Sequence, residues 1–110
     1  MSMIDIAALD DIPPQGARVV RTPHGCVAVF RTADDRVFAL DDRCPHKGGP
    51  LSEGIVHGTQ VTCPLHNWVF DMSSGLAQGA DDGLVRTFAT RVENGRILID
   101  AALIARRSAA

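Results

Sequence analysis

The chain has 110 residues, 45% hydrophobic and 22% charged, with a formal net charge of −2. That length suits one domain, expected over 1–110, and is too short for a dinucleotide fold plus a substrate domain. The composition argues against disorder, the charge gives no electrostatic case for nucleic acid, and no apolar run reaches the roughly 20 residues of a membrane helix.

Residues 1–10 lack the basic region and apolar core of a secretory signal, so a reducing cytoplasm is expected. In chain order, 17–21 reads as a strand after the turn Pro13-Pro14-Gln15-Gly16. Residues 26–32 alternate around Val27, Val29 and Arg31 and predict a second strand. Ala33-Asp34-Asp35 is a hairpin turn, and 36–40 returns. Residues 55–57 and 60–62 form a small hairpin across Gly58-Thr59. A short strand at 68–71 closes at Ser73-Ser74-Gly75. Two last strands, 84–92 and 96–99, flank Glu93-Asn94-Gly95, and Asn-Gly between apolar runs is a strong hairpin signal. Only the chain ends read as helical. Residues 101–107 predict a terminal helix with Asp100 at its N-cap and Arg106 and Arg107 in its last turn. Many short strands with regular turns argue for an all-β sandwich or barrel.

Four Asp-Asp pairs, at 10–11, 34–35, 41–42 and 81–82, fall at predicted turns and read as turn chemistry rather than as a carboxylate site. Arg86 and Arg91 read as solvated surface. The three cysteines and four histidines are more informative. An odd cysteine count argues against a closed disulfide framework. Two Cys and two His fall into Cys44-x-His46 and Cys63-x-x-His66, separated by sixteen residues. Each half opens a Pro/Gly-rich loop after a strand. Zinc fingers usually group cysteines apart from histidines, whereas here each motif supplies one of each. That symmetry suits a binuclear centre in which one iron takes both thiolates and the other both imidazoles. A structural zinc site is the alternative that the residues leave open. In the binuclear reading, Gly48 and Gly49 would let backbone N–H groups approach the sulfides, and Pro45 and Pro64 would stiffen the loops. Lys47, beside His46, reads equally as a charge that steers a docking partner and as a solvated loop charge. Protonation of the imidazoles on reduction predicts a potential that falls as pH rises.

These motifs resemble the Rieske [2Fe–2S] family, which implies an antiparallel β-sandwich or barrel. A small cluster-binding subdomain of two ligand loops, about 43–70, would be inserted in it. Cys44, His46, Cys63 and His66 would hold one cluster per chain. The additional loop cysteines of respiratory Rieske proteins are absent, Asn67 follows His66, and there is no Tyr, so the chain looks like the low-potential, ferredoxin-type branch. Residues 44–70, CPHKGGPLSEGIVHGTQVTCPLHNWVF, are similar to the small subunit of assimilatory NAD(P)H-dependent nitrite reductase. The stretches 79–87 and 91–96 extend that resemblance. It implies an oxidoreductase subunit that transfers electrons or supports a large subunit carrying FAD, a [4Fe–4S] cluster and sirohaem, where nitrite becomes ammonia. The alternatives are a ferredoxin feeding an aromatic-ring dioxygenase and a zinc-stabilised module without redox activity. Cys26 is expected to be a buried, inert strand residue. His24 and His57 read as turn residues, and Trp68 as packing beneath the ligand loops.

Overall fold

Four consecutive apolar residues, Val27, Ala28, Val29 and Phe30, cannot all face one side of a pleated strand. A strand that carries them must be covered on both faces. The computed structural model, which describes residues 3–22, 25–43, 50–64, 68–78 and 83–100, shows that arrangement. Ten strands are described: β1 (Met3–Ala8), β2 (Ala17–Thr22), β3 (Gly25–Arg31), β4 (Val37–Asp41), β5 (Ile55–His57), β6 (Gln60–Thr62), β7 (Val69–Asp71), β8 (Thr87–Phe88), β9 (Thr90–Glu93) and β10 (Arg96–Asp100). They form three sheets, ordered β2-β3-β4-β8, β1-β10-β9 and β5-β6-β7, and every pairing is antiparallel.

The β2-β3-β4-β8 sheet is the central layer. Val27, Val29, Val37, Ala39 and Phe88 pack with Ile97 and Ile99 of β10 on one face. On the other, Ala28, Phe30 and Leu40 pack with Val56, Val61 and Phe70 of the small sheet and with Leu51. Phe30 and Phe70 are among the largest fully buried side chains. The small sheet, β5-β6-β7, lies in the chain between β4 and β8, which are neighbours in the central layer. The fold is all-β. Among the described residues the only helical turns are two short 3-10 turns, Leu9–Asp11 and Leu51–Glu53. No described helix is long and apolar enough to cross a membrane.

Three readings of the sequence need correction. The N-terminal end is not helical: residues 3–8 form β1, which pairs with β10 through a bulge between Asp5 and Ala7. A bidentate ion pair from Arg96 to Asp5 fixes that edge. Residues 84–92 are not one strand. The chain breaks at Ala89 because it changes sheets there, β8 pairing with β4 and β9 with β10. Two hydrogen bonds hold the crossing, from the Asp100 N–H to the Ala89 carbonyl (3.0 Å) and from the Thr90 hydroxyl to the Val37 carbonyl (2.9 Å). Cys26, expected in the core, is exposed. It stands at the start of β3 opposite Arg21, before the doubly covered stretch begins. The terminal helix expected at 101–107 lies outside the described residues, and Asp100 ends β10.

The turns follow their residue types. Asn94 and Gly95 both have positive φ (51° and 74°), as the two-residue hairpin between β9 and β10 requires. Asp71 ends β7, and its carboxylate accepts hydrogen bonds from the Ser73 hydroxyl (2.6 Å) and N–H (2.8 Å). The Ser73 hydroxyl bond is the main cause that holds the Asp71 carboxyl below its ordinary value of 3.8, with the Ser73 and Ser74 N–H groups adding to it.

Two predictions follow from this packing. Phe30→Ala removes a fully buried ring from the central layer and should cost about 3–5 kcal/mol, read by denaturant unfolding. Because the folded Asp71 carboxyl titrates low, its stabilisation is fully present above 3.8 and is lost as pH falls through the lower folded value. Asp71→Asn should therefore be less stable than wild type at neutral pH. The gap in Tm should narrow in acid below that point; a pH-independent gap would contradict this assignment.

Candidate metal centre

Of the four ligand candidates, Cys63 lies within the described residues. Cys44, His46 and His66 lie outside them, as does His24. The framework that carries all four ligand candidates is described on both sides of each motif. The first motif leaves the end of β4 and rejoins the described chain at Pro50, before the turn Leu51–Glu53. The second begins at Cys63, directly after β6, and rejoins at Trp68, directly before β7.

The Cys63 side chain is fully buried, in the same apolar cluster as Leu51, Val61 and Phe70. Its N–H donates to the Trp68 carbonyl at 2.6 Å, which ties the start of the second loop to its end. Trp68 is half-buried, packs against that cluster, and lies 6.2 Å from the Phe70 ring in a tilted arrangement. Packing is thus its role on the core side, while the ligand loops it was expected to underlie fall largely outside the described residues. The full burial of Cys63 at the start of the second motif is compatible with a soft, metal-bound sulfur there.

A backbone contact that the sequence did not disclose joins the chain after the first motif to the chain before the second. A Cβ built on Gly54 would lie 2.1 Å from the Thr62 carbonyl oxygen and 3.1 Å from that of Leu51. Gly54 follows the first motif and Thr62 immediately precedes Cys63. The φ of Gly54 is −80°, open to any residue, so only its neighbour makes glycine necessary. Beside this contact Ile55 pairs with Thr62 and Val56 with Val61. The chain leaving the first motif and the chain entering the second are therefore adjacent strands.

A second missed feature is Asp42. Its carboxylate accepts the Ser52 N–H at 2.7 Å and the Ser52 hydroxyl at 2.9 Å. The Asp pairs thus serve separate ends. Asp11 accepts the Ala8 N–H, Asp34 and Asp35 pair with Arg36 and Arg31, Asp41 pairs with Arg86, and Asp42 holds Ser52. Asp81 and Asp82 lie outside the described residues. Among the described residues no group of three or more His, Cys, Asp or Glu side chains would hold a metal. Arg86 and Arg91 are exposed, as expected, and each makes a surface ion pair. His57 ends β5, exposed, with Nε2 2.7 Å from the Thr62 hydroxyl.

Gly54→Ala tests the backbone contact. The added methyl must displace the Thr62 strand, at a cost of about 1–3 kcal/mol. Metal bound per purified chain should fall with it. Wild-type metal content and Tm in that variant would contradict the contact's role.

The donor set fits a cluster with mixed ligands: a buried thiol at one loop mouth, two short loops braced at their bases, and one Cys and one His in each. The comparisons agree. The profile of the Rieske [2Fe–2S] domain matches residues 2–89. The 3-phenylpropionate/cinnamic acid dioxygenase ferredoxin subunit of Photorhabdus laumondii is 37% identical over 103 residues, 90% of this chain and 94% of its own. A solved protein assigned as the small subunit of an NADPH nitrite reductase superposes with a TM-score of 0.81 at 25% identity, covering 90% of this chain and 98% of its own. The ferredoxin in a carbazole 1,9a-dioxygenase complex gives 0.78 at 28% identity, covering 87% and 99%. Such domains carry a [2Fe–2S] cluster held by two Cys and two His. On its motifs, its sheets and this match, the chain belongs to the Rieske [2Fe–2S] domain family.

Proposed function

We propose that the chain is the Rieske small subunit of an NAD(P)H-dependent nitrite reductase, with residues 1–110 as one domain and its ligand loops within about 43–70. The observation that carries this reading is the run 44–70, whose CPHKGG and CPLHNW wording resembles that subunit. The likeness in fold to an assigned nitrite reductase small subunit supports it. Cys44 and Cys63 would give their thiolates to one iron, and His46 and His66 their imidazoles to the other. When bound, the cluster stores and releases single electrons. The residues around it hold and shield it. Leu51, Val61 and Phe70 keep water from the Cys63 side, and the Cys63 N–H bond to the Trp68 carbonyl ties the described ends of the second motif.

By this reading the partner is a large subunit with FAD, a [4Fe–4S] cluster and sirohaem, on which nitrite is reduced to ammonia. The small chain passes electrons or supports that complex in the cytoplasm, where an exposed thiol such as Cys26 persists reduced. A second reading, a ferredoxin component of an aromatic-ring dioxygenase system, is favoured by the 37% identity to such a subunit over 90% of the chain.

Affinity purification of the tagged chain from its native host separates the two. Co-purification of a sirohaem protein with nitrite reductase activity is the expected result. A terminal oxygenase in its place would overturn the reading. The ligand set has its own test: Cys63→Ala should abolish the visible iron–sulfur absorption, and Cys26→Ala should leave it intact. Bleaching by Cys26→Ala would contradict the assignment, and a colourless zinc protein would remove the electron-transfer role.

A further inference from the structure

We propose that Asp42 is a positioning residue for the iron: its carboxylate ties together the two ends of the segment that carries Cys44 and His46. This rests on the reading of those two residues as ligands. Both carboxylate oxygens go to one residue ten positions away, Oδ1 to the Ser52 N–H and Oδ2 to the Ser52 hydroxyl. An Asp that merely shaped its own turn would bond its own backbone within two or three residues, as Asp71 does with Ser73 and Ser74.

Each end of the tie is itself anchored. At the near end the Asp42 N–H donates to the Cys26 carbonyl at 2.9 Å. The Asp41 N–H donates to the Arg86 carbonyl at 2.9 Å, and the Asp41 carboxylate takes the Arg86 guanidinium at 3.0 Å. At the far end Leu51, beside Ser52, is fully buried in the cluster that contains Cys63. The carboxylate therefore joins the central sheet to the turn that packs against the second motif. Fixing both ends of a loop removes conformations that ligand binding would otherwise have to remove. The described hydrogen bonds of the Asp42 side chain go to Ser52. Asp42 acts through Ser52.

The test compares wild-type holoprotein with Asp42→Ala, Asp42→Asn and Ser52→Ala. Three quantities are read: the rate at which excess chelator bleaches the visible absorption, hydrogen exchange of the Ser52 amide, and Tm. Loss of the two hydrogen bonds to Ser52 makes about a tenfold change in rate the expected effect of Asp42→Ala. Its Ser52 amide should lose protection as well. Ser52→Ala, which keeps the N–H bond, should fall between. Asp42→Asn should stay within about threefold of wild type, because an amide accepts the Ser52 N–H with Oδ1 and donates to the hydroxyl with Nδ2. Bleaching of Asp42→Ala at the wild-type rate would overturn the proposal. So would Asp42→Asn bleaching as fast as Asp42→Ala, which would assign the effect to charge. If Asp42→Ala does not fold, Ser52→Ala and Asp42→Asn carry the same decision. A wild-type chain without iron would refute the ligand reading. Protection of its Ser52 amide, compared with Ser52→Ala and Asp42→Asn, would still decide the tie.

Discussion

Gly54 and the Thr62 carbonyl come together so closely that no side chain fits between them. The described chain that flanks the two motifs is arranged around this contact. It allows the strand after the first motif to lie in register against the strand before the second. It also lets the turn Leu51–Glu53 drop Leu51 into the core next to Cys63. The segments that follow the first motif and precede the second become neighbouring strands of a three-stranded sheet. A methyl group at this point would act on both loops at once.

The sheet that carries them cannot stand alone, since three strands of three residues bury little on their own. It is supported by the central layer, through Ala28, Phe30 and Leu40 against Val56, Val61 and Phe70. The opposite face of that layer is covered by Ile97 and Ile99. Cys63 belongs to the apolar cluster, and as a proposed ligand it would join packing and metal binding in one residue. A thiolate buried there is costly unless iron offsets its charge. The same burial keeps solvent from one side of the site.

Much of this was legible in the sequence. The hairpins at Gly58-Thr59 and Asn94-Gly95 followed from turn chemistry, and the Cys/His spacing named the family before any coordinates. What escaped was non-local. The alternation around Val27 and Val29 predicted a strand but not a layer on each side of it; the unbroken run through Ala28 and Phe30 carried that signal. The change of sheet at Ala89 has no local marker, because both halves favour strand. Met3–Ala8 is too short for its period to decide, and pairing with β10 made it a strand. Cys26 looked like core because its apolar neighbours follow it, yet it precedes the covered stretch. Gly54 and Asp42 were invisible because their partners, Thr62 and Ser52, are known only once the chain is folded.

The fold, the brace at Asp42 and the buried Cys63 converge on one claim, that two sulfurs and two imidazoles from this chain hold a [2Fe–2S] cluster. Pulsed EPR of the reduced protein labelled with ¹⁵N-histidine tests it most directly. The account predicts coupling from two histidine nitrogens, with one lost in His46→Ala or His66→Ala where iron is retained, and both unchanged in His57→Ala. A spectrum without histidine coupling, or one altered by His57→Ala in place of the motif variants, would contradict it.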